Sequence, residues 1–166
     1  MVLGMSLPAF TAVHVLLSLI GIVAGSIAMW GLLRASLLRG WTWLFLLMAI
    51  ATSVTGFMFP VDAIKPSHVF GVITLVLLAF AIHALIVKRL EGRWRVAYVV
   101  SAMLTLYLNV VVLIVQMFEK VAPLAELEST RGLWPLLATQ GAALMMFVAA
   151  TVVGTMRFRP SPMHLA

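Results

Sequence analysis

The sequence predicts an all-α integral membrane protein, a single bundle of five transmembrane helices with the N-terminus outside and the C-terminus in the cytoplasm. Three observations predict it. Of the 166 residues, 64% are hydrophobic and only 10% charged, against roughly 25% charged in a soluble domain, and the mean hydropathy is +1.17. The apolar residues form continuous runs of about 20, long enough to cross a hydrocarbon core and free of the alternation of a membrane β-barrel. The basic residues sit in the short gaps between those runs, which is a topology signal. The net charge of +6 therefore carries no nucleic-acid signature. The absence of cysteine removes disulfides, thiolate zinc sites, iron–sulfur clusters and thiol catalysis together.

Five spans are expected, at about Pro8 to Leu33, Trp41 to Phe59, Ser67 to Val87, Val96 to Phe118 and Trp134 to Met156, each meeting the roughly 20-residue requirement. They make one transmembrane domain over residues 1–166. The gap after the first span carries Arg34 and Arg39, the gap after the third carries Lys88, Arg89, Arg93 and Arg95, and the tail carries Arg157 and Arg159. These eight stand against three on the other side, Lys65, Lys120 and Arg131, which also holds Asp62, Glu119, Glu126 and Glu128. Cytoplasmic loops carry the excess of Lys and Arg, which sets the orientation. Trp41, Trp94 and Trp134 fall at span ends as interfacial anchors. No basic residue precedes the first span, so a cleaved signal peptide is not expected. The segment from Glu119 to Leu133 has room for a turn or a short interfacial helix.

In the first span His14, Ser18, Gly21, Gly25 and Ala28 follow at spacings of four, three, four and three, so they share one face. Gly21 and Gly25 form a small-residue packing motif that calls for a close helix neighbour, and His14 on that face should point into protein. It has three readings: a histidine hydrogen-bonded to Ser, Thr or a carbonyl, a ligand for haem, metal or quinone, or a proton-handling group. The first is its ordinary role. In the second span Thr52, Ser53, Thr55 and Gly56 precede Pro60, which ends the helix; helix packing is the ordinary role of such residues. The third span opens with Ser67 as a candidate N-cap and His68 at the interface, and His83 lies near Lys88, able to reach the membrane boundary.

The fourth span carries Tyr98, Ser101, Thr105, Asn109 and Gln116 at spacings of three, four, four and seven, one helical face that hydrocarbon cannot satisfy. The fifth carries Thr139, Gln140 and a face of small residues, Ala143, Ala150, Thr151 and Gly154. Counted inward, His14 and Gln140 lie at similar depth, with Thr52 and Asn109 within about a turn of them and Gln116 above. The expectation is an outward-facing polar layer made by His14, Thr52, Asn109, Gln116 and Gln140, with His68, Ser18 and Thr55 nearby. Tyr98 and Ser101 should find little polar company.

No Asp, Glu, Lys or Arg lies within a span. This excludes a carboxylate-bridged di-metal site and argues against ion-coupled transport. There is no phosphate-binding Gly-Lys loop, zinc-protease His pair or Gly-x-Ser-x-Gly elbow. A haem b held by two histidines would need His14 with His68, whose depths differ by about 7–8 Å; His164 lies in the tail.

The strings Ala51-Thr-Ser-Val-Thr-Gly-Phe-Met-Phe-Pro60, Pro66-Ser-His-Val-Phe-Gly71, Gly92-Arg-Trp-Arg with Tyr98-Val-Val, and Leu106-Tyr-Leu-Asn-Val with Val115-Gln116 and Phe118-Glu-Lys120 resemble a family of small, hypothetical bacterial inner-membrane proteins. The resemblance runs from His14 to Gln140 and implies a bacterial inner-membrane location but no activity. Glu128-Ser-Thr-Arg-Gly-Leu-Trp-Pro135 departs from the family's pattern of Pro-Thr-Gln followed by Glu-Pro-Pro-Phe, and His83 is outside that pattern. Three function classes follow: a non-enzymatic accessory or binding component, a redox protein holding haem or quinone near His14, and a small-solute pore formed by an oligomer. The partners expected are the bilayer and, beyond it, further copies of the chain or a larger membrane complex.

Overall fold

The computed structural model describes residues 2–60 and 66–159, with the side chains of Pro66 and Ser67 outside that description. The expectations for Asp62, Lys65, the Ser67 cap and His164 thus lie outside the described residues. Among these residues there are six helices: α1 (Leu7–Leu33), α2 (Arg39–Phe57), α3 (Pro66–Ile82, continued by a π turn over His83–Val87), α4 (Arg93–Lys120), α5 (Ala122–Arg131) and α6 (Trp134–Arg157). All except α5 are long and apolar enough to cross a membrane. Helices long and apolar enough to span therefore stand at the five expected positions, and the sixth helix is short, with no buried residue.

The ends of the helices follow from local chemistry. The hydroxyl of Ser6 accepts from the Ala9 amide at 3.4 Å, and a proline occupies the first turn of α1, where its missing N–H is no loss. Helix α2 stops at Phe57, three residues before Pro60, because the residue before a proline is pushed out of the helical region. Successive spans are joined by short connections and so run antiparallel. The starts of α1, α3 and α6 and the ends of α2 and α4 thus lie at one end of the bundle, called here the His14 end. The opposite end carries Arg95.

Helix α1 packs chiefly on α2, α2 also on α3, and α4 touches α1, α3, α5 and α6. The tightest junction is at Gly25. A Cβ there would stand 2.7 Å from Leu106 Cδ1 of α4 and 2.7 Å from Phe45 Cδ2 of α2, and one at Gly21 would stand 3.2 Å from Met48 Cβ. The small-residue face of α1 thus has its close neighbour, α2, with α4 meeting both. Helix α6 runs along a four-residue stripe of α4. Gly154 faces Val99 and Met103, the Phe147 and Tyr107 rings lie 5.5 Å apart, and the Gln140 amide reaches the Val111 carbonyl.

The polar face of α4 is buried at the Arg95 end, where Tyr98, Ser101 and Thr105 are 2%, 7% and 0% exposed. The Thr42 hydroxyl of α2 lies beside that of Tyr98. This corrects the expectation that Tyr98 lacks polar company: Thr42 is near the start of α2, which the antiparallel packing brings level with the start of α4. At the same end the Arg95 guanidinium donates to the carbonyls of Thr155 (2.7 Å) and Phe158, the last turn of α6, where the helix dipole favours a cation. The His83 ring meets Trp94 edge-on at 5.1 Å, and the Lys88 ammonium stands 5.4 Å from the same indole. The π turn closes with Arg89 and Leu90 at φ 47° and 59°, and Leu90 is 3% exposed.

Two substitutions test this packing. Gly25→Leu forces side-chain atoms into Phe45 and Leu106 and should destabilise the bundle by about 1–3 kcal/mol or more, read as a lowered midpoint of unfolding in mixed detergent. Arg95→Ala leaves the last carbonyls of α6 without their charged donor and should lose about 1.5–3 kcal/mol in the same measurement.

Candidate functional site

The face of α1 that places Gly21 and Gly25 against α2 carries His14 two to three turns nearer its start. Because the glycines hold the two helices close, the imidazole is delivered directly to α2. His14 Nδ1 and Thr55 Oγ1 are 2.7 Å apart. Thr55 Oγ1 is also 2.7 Å from the Ala51 carbonyl and 3.1 Å from that of Thr52. Two oxygens at 2.7 Å need a proton between them, and a carbonyl has none to give. The single Thr55 proton is therefore turned to its own helix, and its oxygen accepts from His14 Nδ1–H. That assigns the tautomer: in the neutral ring, Nε2 carries a lone pair. No hydrogen bond among the described residues involves Nε2.

The surroundings of the ring are apolar. Phe59 meets it edge-on, with centroids 5.2 Å apart at 87°, and Phe10 lies 4.9 Å from Phe59. Gly56 presents no side chain: a Cβ there would stand 3.6 Å from His14 Cε1. Phe10 is 1% exposed, whereas His14 is half-buried. Ser18 donates to the His14 carbonyl at 2.9 Å.

The structure divides the polar residues that the sequence groups in one layer. His14, Thr55 and the Thr52 carbonyl form one hydrogen-bonded unit between α1 and α2. The Thr52 hydroxyl itself is buried without a partner among the described residues. Asn109 donates to the Thr105 carbonyl of its own helix at 2.8 Å. Gln140 donates to the Val111 carbonyl at 3.1 Å, tying α6 to α4, and its Oε1 is buried without a partner. Gln116 pairs with Glu119 at 3.0 Å in an exposed contact. No hydrogen bond joins these amides to His14 among the described residues. Depth along the bundle is similar for several of them, but their directions around each helix differ.

His68 and His14 lie on different sides of the end of α2. Thr55 and Gly56 face α1 and His14, whereas Phe57 faces α3, 5.9 Å from the His68 ring and against Gly71. Among the described residues no group of three His, Cys, Asp or Glu side chains could hold a metal ion. Phe10, Gly56 and Phe59 complete the site; sequence reasoning passes over Phe10 and Phe59 and gives Gly56 a packing role only. Phe10 precedes His14 by four positions, the spacing of helix neighbours, and was the one available signal. No protein-family profile, curated protein or solved structure matches this chain.

Thr55→Val removes the acceptor for Nδ1–H while keeping the shape of the side chain. It should destabilise the bundle by about 1 kcal/mol, with Thr55→Ser restoring most of the loss. Detergent unfolding midpoints of the three proteins check this.

Proposed function

We propose that this chain is a non-enzymatic binding component of the bacterial cytoplasmic membrane, with its N-terminus and the His14 end of the bundle facing outward. It holds a small apolar ligand between α1 and α2 at His14. The observation that carries the reading is the imidazole itself: Nδ1 is clamped by Thr55 while Nε2 is without a partner among the described residues. An imidazole oriented through one nitrogen and open at the other is the arrangement by which proteins present a histidine to a ligand.

The charge distribution supports the orientation. Arg34, Arg39, Lys88, Arg89, Arg93, Arg95, Arg157 and Arg159 all belong to the Arg95 end, and Lys120 and Arg131 to the other, as a cytoplasmic Arg95 end requires. The motif resemblance supports the bacterial membrane. Hydrogen bonds of Asn109 and Gln116 within their own helix, and of Gln140 to a carbonyl of α4 rather than to either of them, favour a local site over a pore, which needs polar groups joined into a path. The placement of His14 and His68 on different sides of α2 weighs against a haem held by that pair.

The test is direct. The protein, purified in mild detergent from its native membrane, is extracted with organic solvent and its visible spectrum recorded. A near-stoichiometric apolar compound is expected in the extract, reduced about tenfold or more in His14→Gln while the circular dichroism stays unchanged. Equal amounts in both proteins, or none in either, would overturn the binding role. A Soret band that shifts on reduction would replace the ligand with haem.

A further inference from the structure

We infer that the site selects ligands that donate a hydrogen bond, and that its ligand is a lipid-soluble hydroxyarene of the quinol type in preference to the matching quinone. The inference rests on the binding role proposed for His14 and adds the chemical class of the ligand.

The argument starts at the Thr55 hydroxyl. Its proton is committed to the Ala51 carbonyl at 2.7 Å, shared with that of Thr52 at 3.1 Å. The oxygen therefore only accepts from His14, and Nδ1 is the protonated nitrogen. The neutral ring then offers a lone pair at Nε2 and no proton. A hydroxyl donates to that lone pair. A carbonyl oxygen, itself only an acceptor, meets it with two lone pairs facing each other. A site built around one hydrogen-bonding role discriminates against a ligand with the opposite role.

The rest of the site suits an aromatic body behind that hydroxyl. Phe59 stands edge-on to the imidazole, Phe10 packs on Phe59, and Gly56 leaves the ring edge uncovered by a side chain. Aromatic rings pack on one another in these offset and edge-on geometries. His14 is seven residues into α1, or about 10 Å from its start. That depth is within the outer part of a span, where a molecule dissolved in the bilayer has its polar head. Val13 and Leu16 next to His14 are 41% and 58% exposed on the outer surface of α1, so a ligand can approach sideways from lipid.

The full-length protein in lipid nanodiscs is titrated under argon with decylubiquinol and, separately, decylubiquinone, at a pH of about 8.5, above the ordinary imidazole range. The reduced form should bind about tenfold more tightly, the effect of a hydrogen bond of typical strength. In Thr55→Val the ring can turn or exchange its proton, and the preference should fall to within roughly twofold, while Thr55→Ser keeps it. Nitrogen-15 spectra of histidine-labelled protein, with His14 assigned by its loss in His14→Gln, should show the proton on Nδ1 and a shift at Nε2 when the quinol is added. Equal binding of both forms, or tighter binding of the quinone, overturns the donor preference but leaves the binding role standing. No binding of either form overturns the quinol assignment and leaves the binding role to the extraction test. A proton found on Nε2 in the free protein overturns the donor preference at its source.

Discussion

The close approach of α1 to α2 and α4 at Gly25 is the contact on which the rest of the structure depends. Between helices in lipid there is no hydrophobic driving force to separate inside from outside, and association comes from packing and from polar contacts. Gly21 and Gly25 let the backbone of α1 come within van der Waals distance of Met48, Phe45 and Leu106. The same closeness carries His14 to Thr55, because both lie on the faces the glycines bring together. A side chain at Gly25 would meet Phe45 and Leu106 at once, about three turns from the 2.7 Å contact of His14 with Thr55. Packing and site are therefore one feature.

The polar groups of the bundle are mostly settled at short range. Asn109, Thr55, Ser18 and Thr151 each donate to a carbonyl of their own helix, the cheapest way to hide a donor from hydrocarbon. Contacts that cross between helices have separate tasks. Arg95 ties the end of α6 to α4, Gln140 ties α6 to α4 nearer the other end, Tyr98 meets Thr42, and His14 meets Thr55. Of these four, His14 alone keeps a second ring nitrogen with no hydrogen-bond partner among the described residues, in an aromatic setting, and the binding role proposed for it rests on that.

Much of the fold was legible in the residues, and the reasons are local. Span positions depend on runs of apolar side chains, so the helices begin and end within a few residues of expectation. The short helix α5 follows from Pro123 in its first turn and from a segment too polar to enter the membrane. The glycine face of α1 was legible because helical spacing puts those residues in line whatever the helix packs against. The π turn at His83 was not, since nothing in HALIV distinguishes it from ordinary helix; it arises where the chain turns back so that Leu90 can be buried.

The sequence by itself determined how many helices could cross a membrane, which ends collect the basic charge, and which face of α1 must be covered. Each of these depends on composition or on spacing within one helix. Only the tertiary structure decided that Thr55 rather than Thr52 meets His14, that Phe59 and Phe10 wall the ring, and that Tyr98 finds Thr42. Those pairings depend on which helices are neighbours and on how each is rotated about its axis. Depth in the membrane can be counted along a chain, but direction around a helix is set by the packing of the others. Residues at one depth therefore read as a single polar layer in the sequence and resolve into separate contacts in three dimensions.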